Sequence, residues 1–376
     1  MKEKQKLVTV FVTVYNVEEF LPRFFENIAA QTFDDYILLI FDDGSEDKTF
    51  ELCEKQAARD ARITVVHSEH IGISAARNRV LRMIDTPFTA SMDADDIYSP
   101  DYLLHLIEAQ KATGADLVIS SVTCRHETGR IVFKTHPRGG AVLEQKDFRE
   151  ALPALLLENR LNYLYAKLYR TEYLRECRVE DDVKMGSDTM INFQYLLKIR
   201  SIALTDDEDT EYIRYDTRAV CSYKGADLYV RQFRIESVIT GIIRDSEYWS
   251  DDMQRAIDRR VFSYTNSTIN SCRRAGIPLL EQYNCAREMA NTALFREAWN
   301  RQQADPQEYR APLLEPGREI EFVNQVNGLR LIPEKEVKAL ENEVHRLSHS
   351  NSWRIGRVIT FPVRMIKQIC QRIQGK

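Results

Sequence analysis

The sequence predicts an α/β protein: a mostly parallel, Rossmann-like central sheet with helices on both faces, followed by a helical carboxyl-terminal region. Three observations carry that expectation. Over the first third of the chain, short runs rich in β-branched residues alternate with amphipathic helical patterns. Those runs are almost continuously apolar, as strands buried on both faces must be. From about residue 225 the β-rich runs give way to helical spacing.

"LVTVFVTV" (7–14), "YILLIFDD" (36–43), "RITVVH" (62–67), "FTASMD" (88–93) and "DLVISSV" (116–122) are the expected strands. Helical patterns fall between them, over 18–30, 47–58, 73–84 and 101–113. Strands alternating with helices build a sheet covered on both faces, and in such sheets ligands bind beyond the carboxyl ends of the strands. Three polar clusters sit at those ends: "TVYN" (13–16), "DDGS" (42–45) and "DADD" (93–96). Farther on, Tyr229, Phe233, Val238, Ile242 and Ile243 form an apolar stripe at helical spacing, which predicts core packing. Residues 301–319, with three prolines, read as a connector.

Bulk properties limit what this framework serves. At 376 residues the chain is long enough for about two domains. A composition of 44% hydrophobic and 29% charged residues is that of a globular protein. A formal net charge of -5 argues against a general nucleic-acid binder, whose phosphate contacts need a basic surface. The seven cysteines are scattered without a C-x-x-C pair, which points to a reducing, cytoplasmic compartment rather than a disulfide framework or a zinc site. The first apolar run is too short and too β-branched for a signal peptide, and no stretch approaches the roughly 20 apolar residues of a spanning helix.

Like charges crowded at a strand end call for a counter-charge. If the "DADD" segment is extended, Asp93 and Asp95 point to one side and Ala94 to the other. A hard divalent cation held by one or two carboxylates and completed by substrate phosphates fits that short ligand supply. An EF-hand does not, since Tyr98 and Leu104 stand where its glycine and bidentate glutamate are needed. An ionised Asp42 or Asp43 accepts hydrogen bonds but donates none, so it suits a base with an imide N–H such as uracil. "DDGS" also has the residues of a turn and a cap for the next helix. Neither the G-x-G-x-x-G fingerprint nor a P-loop is present.

The run from "VTVFVTVYNVEEF" through "IFDDGSEDKT" and "GISAARNRVL" to "SMDADD" resembles the amino-terminal half of the family 2 inverting glycosyltransferases of the GT-A fold. The resemblance is dense over 7–121 and thinner through "AKLYRTEYL" and "GSDTMINFQYLL". It implies that Thr13, Val14 and Tyr15 wrap a nucleotide with Glu18 close by, and that Asp42 reads uracil. It places Arg77 near the nucleotide and diphosphate. Asp93, Ala94 and Asp95 match the D-x-D motif, with Asp95 and Asp93 on a Mn²⁺ or Mg²⁺ ion, and Asp188 matches the catalytic base. The chain departs from the family pattern at Thr13 (usually Pro), at Tyr165-Ala166 (often Trp-Asn) and at Ser187 (commonly Glu).

The implied activity is inverting, metal-dependent transfer of a sugar from a UDP-sugar to a glycan or lipid-linked acceptor in cell-surface polysaccharide synthesis. The alternative is a catalytically inactive nucleotide-sugar-binding protein or scaffold at the membrane surface. The expected organisation is a nucleotide-sugar-binding catalytic domain over 1–224, a helical region over 225–332 bordering the acceptor, and a helix with a basic tail over 333–376. From residue 344 onward there are seven Lys or Arg and no Asp or Glu, interleaved with Trp353, Phe361 and aliphatic residues. Such a segment suits an anionic membrane surface, giving a cytoplasmic protein held peripherally at the membrane.

Overall fold

The computed structural model describes residues 6–135, 140–215, 226–274 and 292–304. Its main sheet has eight strands: β1 (Val8–Val14), β2 (Tyr36–Asp42), β3 (Ile63–His67), β4 (Phe88–Ser91), β6 (Leu117–Ile119), β9 (Val142–Glu144), β10 (Lys167–Arg170) and β11 (Ser201–Leu204). Their order is β3-β2-β1-β4-β10-β6-β11-β9. From β3 to β4 the strands are parallel. Antiparallel β10 then separates β4 from β6, which in turn pairs parallel with β11. A second, four-stranded sheet joins β5 (Ile97–Tyr98), β12 (Thr210–Arg214), β7 (Val122–His126) and β8 (Ile131–Lys134) in that order. The architecture is of the predicted class, with the first four parallel strands where the alternating pattern put them.

Helices α1 (Leu21–Ala29), α2 (Thr49–Ala57), α3 (Ile73–Met83) and α4 (Tyr102–Thr113) connect these strands. In α1, Leu21, Phe24 and Ile28 recur at helical spacing and are buried, which is how its apolar stripe meets the sheet. The helix starts later than the expected residue 18. Pro22 occupies its first turn, where the missing N–H costs nothing, and the Phe20 N–H closes a turn on the Val17 carbonyl. Then come α5 (Gln145–Leu157), α6 (Thr171–Leu174), α7 (Ser187–Leu196), α8 (Ala226–Arg244), α9 (Asp251–Arg274) and α10 (Ala293–Ala304).

Two expected strands change. The 116–122 run breaks after Ile119, because the Ser120 N–H bonds the Ala166 carbonyl and the Ser121 N–H bonds the Asp207 carbonyl. From Val122 the chain enters the second sheet as β7. The 88–93 run stops at Ser91, and residues 94–95 turn back with the Asp96 N–H on the Asp93 carbonyl. "DADD" is therefore a turn, not an extended segment.

The chain divides into two compact units, Met1–Tyr223 with Val230–Arg260, and Lys224–Tyr229 with Val261–Lys376. Within the first, α8 buries Phe233, Ile235, Ile239 and Ile243, whereas Val238 and Ile242 of the expected stripe are only partly covered. The Tyr229 side chain lies outside the described residues. Within the second, Phe295 and Trp299 stack with centroids 6.3 Å apart, and Phe262 meets both edge-on. The connector over 301–319 lies mostly outside the described residues, and the whole of 333–376 does.

Candidate active site

β1 lies between β2 and β4 in the sheet. The chain leaves β1 through α1 toward β2 and leaves β4 through α4 toward β6, on opposite sides, which opens a crevice beyond the carboxyl ends of β1 and β4. On the β2 side the chain folds into a close-knit rim. Asn16 adopts a positive φ of 52°, its N–H bonds Ser45 Oγ at 2.9 Å, and its side-chain oxygen accepts the Glu46 N–H at 2.8 Å. Glu18 Oε2 accepts the Lys48 N–H at 2.8 Å, so Glu18 fastens the β1 loop to the β2 loop. Thr13 is partly covered, Val14 is in the core, and Tyr15 is 40% exposed at the rim.

Asp42 is fully buried, with Ser45 Oγ donating to Oδ1 and His67 Nδ1 2.6 Å from Oδ2. Each carboxylate oxygen still has a second lone pair for a ligand. Asp43 serves the start of α3, accepting the Ile71 and Gly72 N–H groups at 2.8 and 2.9 Å. The sequence predicts that "DDGS" caps the next helix, α2, but α2 begins only at Thr49 and the cap goes to α3. Gly44 has a φ of +75°, and a Cβ there would come within 2.5 Å of the His70 backbone nitrogen. Only glycine allows this close approach. His70 stacks on Tyr15 at 4.2 Å.

On the β4 side the carboxylates separate by role. Asp96 is completely buried, and its Oδ1 accepts the Ile213 N–H at 3.0 Å, tying the turn to β12. Burial, then the charges of Asp95 and Asp93, push its carboxyl well above the usual range. Burial and the charge of Asp95 push Asp93 up to about 7, with Arg77 opposing and Asp188 adding to the rise. Burial also raises Asp95, against the charge of Arg23, whose guanidinium donates to the Asp95 carbonyl. Ala94 packs in the main core cluster, so what it can offer a ligand is backbone.

Arg77, on α3, is 8% exposed and donates through one nitrogen to both Ser187 Oγ, at 2.7 Å, and the Asp188 carboxylate. Asp188 sits in the first turn of α7, whose cap position is Gly186, so its carboxylate is not spent on capping. Ser187, where the family commonly has Glu, thereby shares the Arg77 guanidinium with Asp188. The structure thus brings Asp93, Asp95, Arg77 and Asp188 into one electrostatic group and gathers Thr13, Val14, Tyr15, Glu18 and Asp42 around the ends of β1 and β2.

Sequence reasoning missed several neighbours. Lys167 is 2% exposed and donates to the carbonyls of Tyr163 (2.6 Å) and Tyr165 (3.3 Å). Burial lowers its ammonium to about 7, with the Asp188 charge opposing that fall. Nothing local in "AKLYR" announces a buried amine. His67 and His70 are set beside Asp42 and Asp43 by the β2–β3 pairing. Among the described residues, His105, Asp207 and Asp209 form a group able to hold a divalent cation, with His105 Nδ1 2.8 Å from Asp209 Oδ2. The acidic run "TDDEDT" was its only sequence signal.

With this geometry in place, comparison with known proteins finds a family match over part of the chain. Residues 9–178 match the model of glycosyl transferase family 2. Residues 9–178 are a family 2 glycosyltransferase domain. The chain is 25% identical over 203 residues to the uncharacterized glycosyltransferase EpsJ of Bacillus subtilis (strain 168), covering 54% of this chain and 59% of that one. It is 30% identical over 202 residues to the putative glycosyltransferase EpsH of the same organism, covering 52% and 57%. It therefore spans less than two thirds of the length of these relatives. The crystal structure of S. aureus TarS 1-349 in complex with UDP-GlcNAc superimposes with a TM-score of 0.60 at 16% identity, over 81% of this chain and 89% of that one. That likeness shows a shared fold, which extends past the family 2 domain.

Proposed function

We propose that the protein is an inverting, metal-dependent glycosyltransferase that moves a sugar from a UDP-sugar to a hydroxyl of a glycan or lipid-linked acceptor. The observation that carries this is the Arg77–Asp188 pair set beside the Asp93/Asp95 turn, in a chain with a family 2 domain. Asp188 takes the proton from the acceptor hydroxyl. The oxygen bonds to the anomeric carbon from the face opposite the nucleotide, the bond from that carbon to the diphosphate breaks, and UDP leaves with the electron pair. Configuration inverts and no covalent intermediate forms. Arg77 fixes the Asp188 carboxylate by donating to it.

A Mn²⁺ or Mg²⁺ ion fits Asp95 and Asp93, because a cation there relieves the repulsion and burial that drive Asp93 up to about 7. When bound, it supplies charge neutralisation on the leaving diphosphate. Asp42 and Tyr15 are the residues offered to the uracil side.

Calorimetry and thermal unfolding with UDP, GDP and CDP, with and without Mn²⁺, test the donor site. At a UDP concentration of 100 times Kd the expected stabilisation is about 2.7 kcal/mol. It requires Mn²⁺ and disappears in Asp95→Ala. Asp188→Asn keeps UDP affinity and loses about 10²- to 10⁴-fold in turnover, the range of a general base. Undiminished turnover in that variant would remove Asp188 from the role.

Among the described residues no helix is long and apolar enough to cross a membrane. The acid-free tail, outside those residues, supports a peripheral position on the anionic cytoplasmic face of a bacterial membrane, where cell-surface polysaccharide precursors are built. A chain truncated after Glu343 should stop pelleting with phosphatidylglycerol-containing vesicles at low salt. Pelleting that survives truncation rules the tail out as the anchor.

A further inference from the structure

We propose that Tyr163, Tyr165 and Tyr212 form a shelf that receives the acceptor as a pyranose ring, which makes the acceptor a carbohydrate. The inference rests on the glycosyltransferase reading and adds the substrate class at its acceptor side.

Tyr163 and Tyr165 stack with centroids 4.8 Å apart and planes 13° from parallel. Tyr212, from β12, joins them at 5.8 and 6.0 Å with interplanar angles of 34° and 24°. Three rings from two chain segments pack into one aromatic cluster, with the Tyr163 and Tyr212 planes tilted by 34°. Tyr165 is its buried member, at 2% exposure, while Tyr163 and Tyr212 keep part of their surface open. Burial, with contributions from the Asp96 and Asp93 charges, pushes the Tyr165 phenol well above its ordinary value, which puts the shelf within electrostatic reach of the "DADD" turn.

The turn that carries the shelf is held from several sides. Asn192 donates to the Leu161 carbonyl at 3.0 Å and the Tyr163 carbonyl at 2.8 Å. Lys167 donates to the Tyr163 and Tyr165 carbonyls, and the Ala166 N–H bonds Tyr102 Oη at 3.2 Å. Ala166 adopts a φ of 54°, a conformation that a side chain disfavours and that persists only where the surroundings impose it. Asn192 lies one helical turn beyond Asp188 on α7. The shelf is thus moored to the helix that carries the base.

A second observation points to a ligand. Among the described residues the buried Tyr165 hydroxyl meets no hydrogen-bond partner. Such a group costs about 1–3 kcal/mol unless something polar meets it. A pyranose supplies both complements: an axial C–H face for the negative face of an aromatic ring, and hydroxyls for the phenol. A saturated hydrocarbon chain supplies only the first.

Saturation-transfer NMR on the full chain tests this with methyl β-D-glucopyranoside, methyl β-D-galactopyranoside, methyl α-D-mannopyranoside and the methyl β-glycoside of N-acetylglucosamine, each with and without UDP and Mn²⁺. At least one should show saturation of its ring C–H protons. Tyr163→Ala and Tyr212→Ala should lower it by about fivefold or more, as loss of an anchoring aromatic does. Tyr163→Phe keeps the ring and should keep the signal, which separates the contact from general loss of fold. Tyr165→Phe preserves the stack and should reduce the signal by removing the hydroxyl alone. Saturation that survives in both alanine variants, or fails for every glycoside in both conditions, overturns the shelf. UDP binding, measured on the same samples, scores the donor reading separately. Tyr163-dependent saturation without UDP binding would uphold the shelf and sink the donor site.

Discussion

Lys167 shows how a single residue can act through its surroundings. Its ammonium is enclosed by the Tyr163 and Tyr165 carbonyls, with the negative charge of Asp188 nearby and the positive charge of Arg160 working against protonation. Burial brings its pKa down to about 7, whereas an unfolded lysine titrates near 10.4. Between those values the unfolded chain holds a proton that the native chain has shed, so stability rises with pH across the window, by up to about 1.4 kcal/mol per pH unit. Urea unfolding at pH 7 and pH 9 should show this gain in the wild type. In Lys167→Met the increment attributable to this group should vanish, so the two pH profiles differ in slope by up to about 2–3 kcal/mol over the interval. Parallel profiles would mean that Lys167 stays charged when buried. The sequence could not announce this residue, because a lysine within a strand gives no sign of which way its neighbours face. The acidic cluster was legible because three like charges within four positions are improbable without a use, whereas its turn was not, since the run reads as the extended end of a strand.

At the scale of elements, α7 depends on how it starts. Gly186 takes a φ of +85° to turn the chain into the helix, and a Cβ there would collide with Ile235 on α8. Gly186→Ala therefore meets a left-handed backbone penalty of about 1–2 kcal/mol and an overpacking penalty of about 1–3 kcal/mol. A loss of about 2–5 kcal/mol in unfolding free energy is expected from these two together. The collision also shifts the first turn of α7, so Asp188 should move relative to Arg77 and turnover should fall more than UDP affinity does. A variant with wild-type stability would show that α8 yields at this point. The alternating strands and helices of the first third were legible because their period and apolar content report local burial. The break after Ile119 was not, since it is imposed by the carbonyls of Ala166 and Asp207. Asp43 likewise looks like a cap for the next helix and becomes one for α3, because β2 and β3 run side by side and bring 71–72 to it.

Across the molecule, the sheet-bearing unit is closed by a strap that no local pattern foretells. Arg260 on α9 donates through two nitrogens to Glu236 Oε1 on α8, at 2.8 and 2.6 Å. Its third nitrogen reaches the Leu156 carbonyl at the end of α5 and the Asn162 side chain beside the tyrosine turn. Both ends are buried, Arg260 at 5% and Glu236 at 0% exposure. The hydrogen bonds span 24, 98 and 104 residues of sequence, so period and propensity carry no trace of them. Removing one partner leaves the other as an uncompensated charge in the interior, and Arg260→Leu should cost about 3–5 kcal/mol. Removing both removes the desolvation penalty with the attraction, so Arg260→Leu with Glu236→Leu should recover most of that loss. The recovery should be incomplete, because the Leu156 carbonyl and Asn162 also lose their donor. Urea midpoints for the two single variants and the double variant decide it: strong coupling identifies the strap, whereas additive losses would mean that Arg260 acts mainly through α5 and Asn162. In either case the second half of the chain, through α8 and the start of α9, stabilises the turn that presents Tyr163.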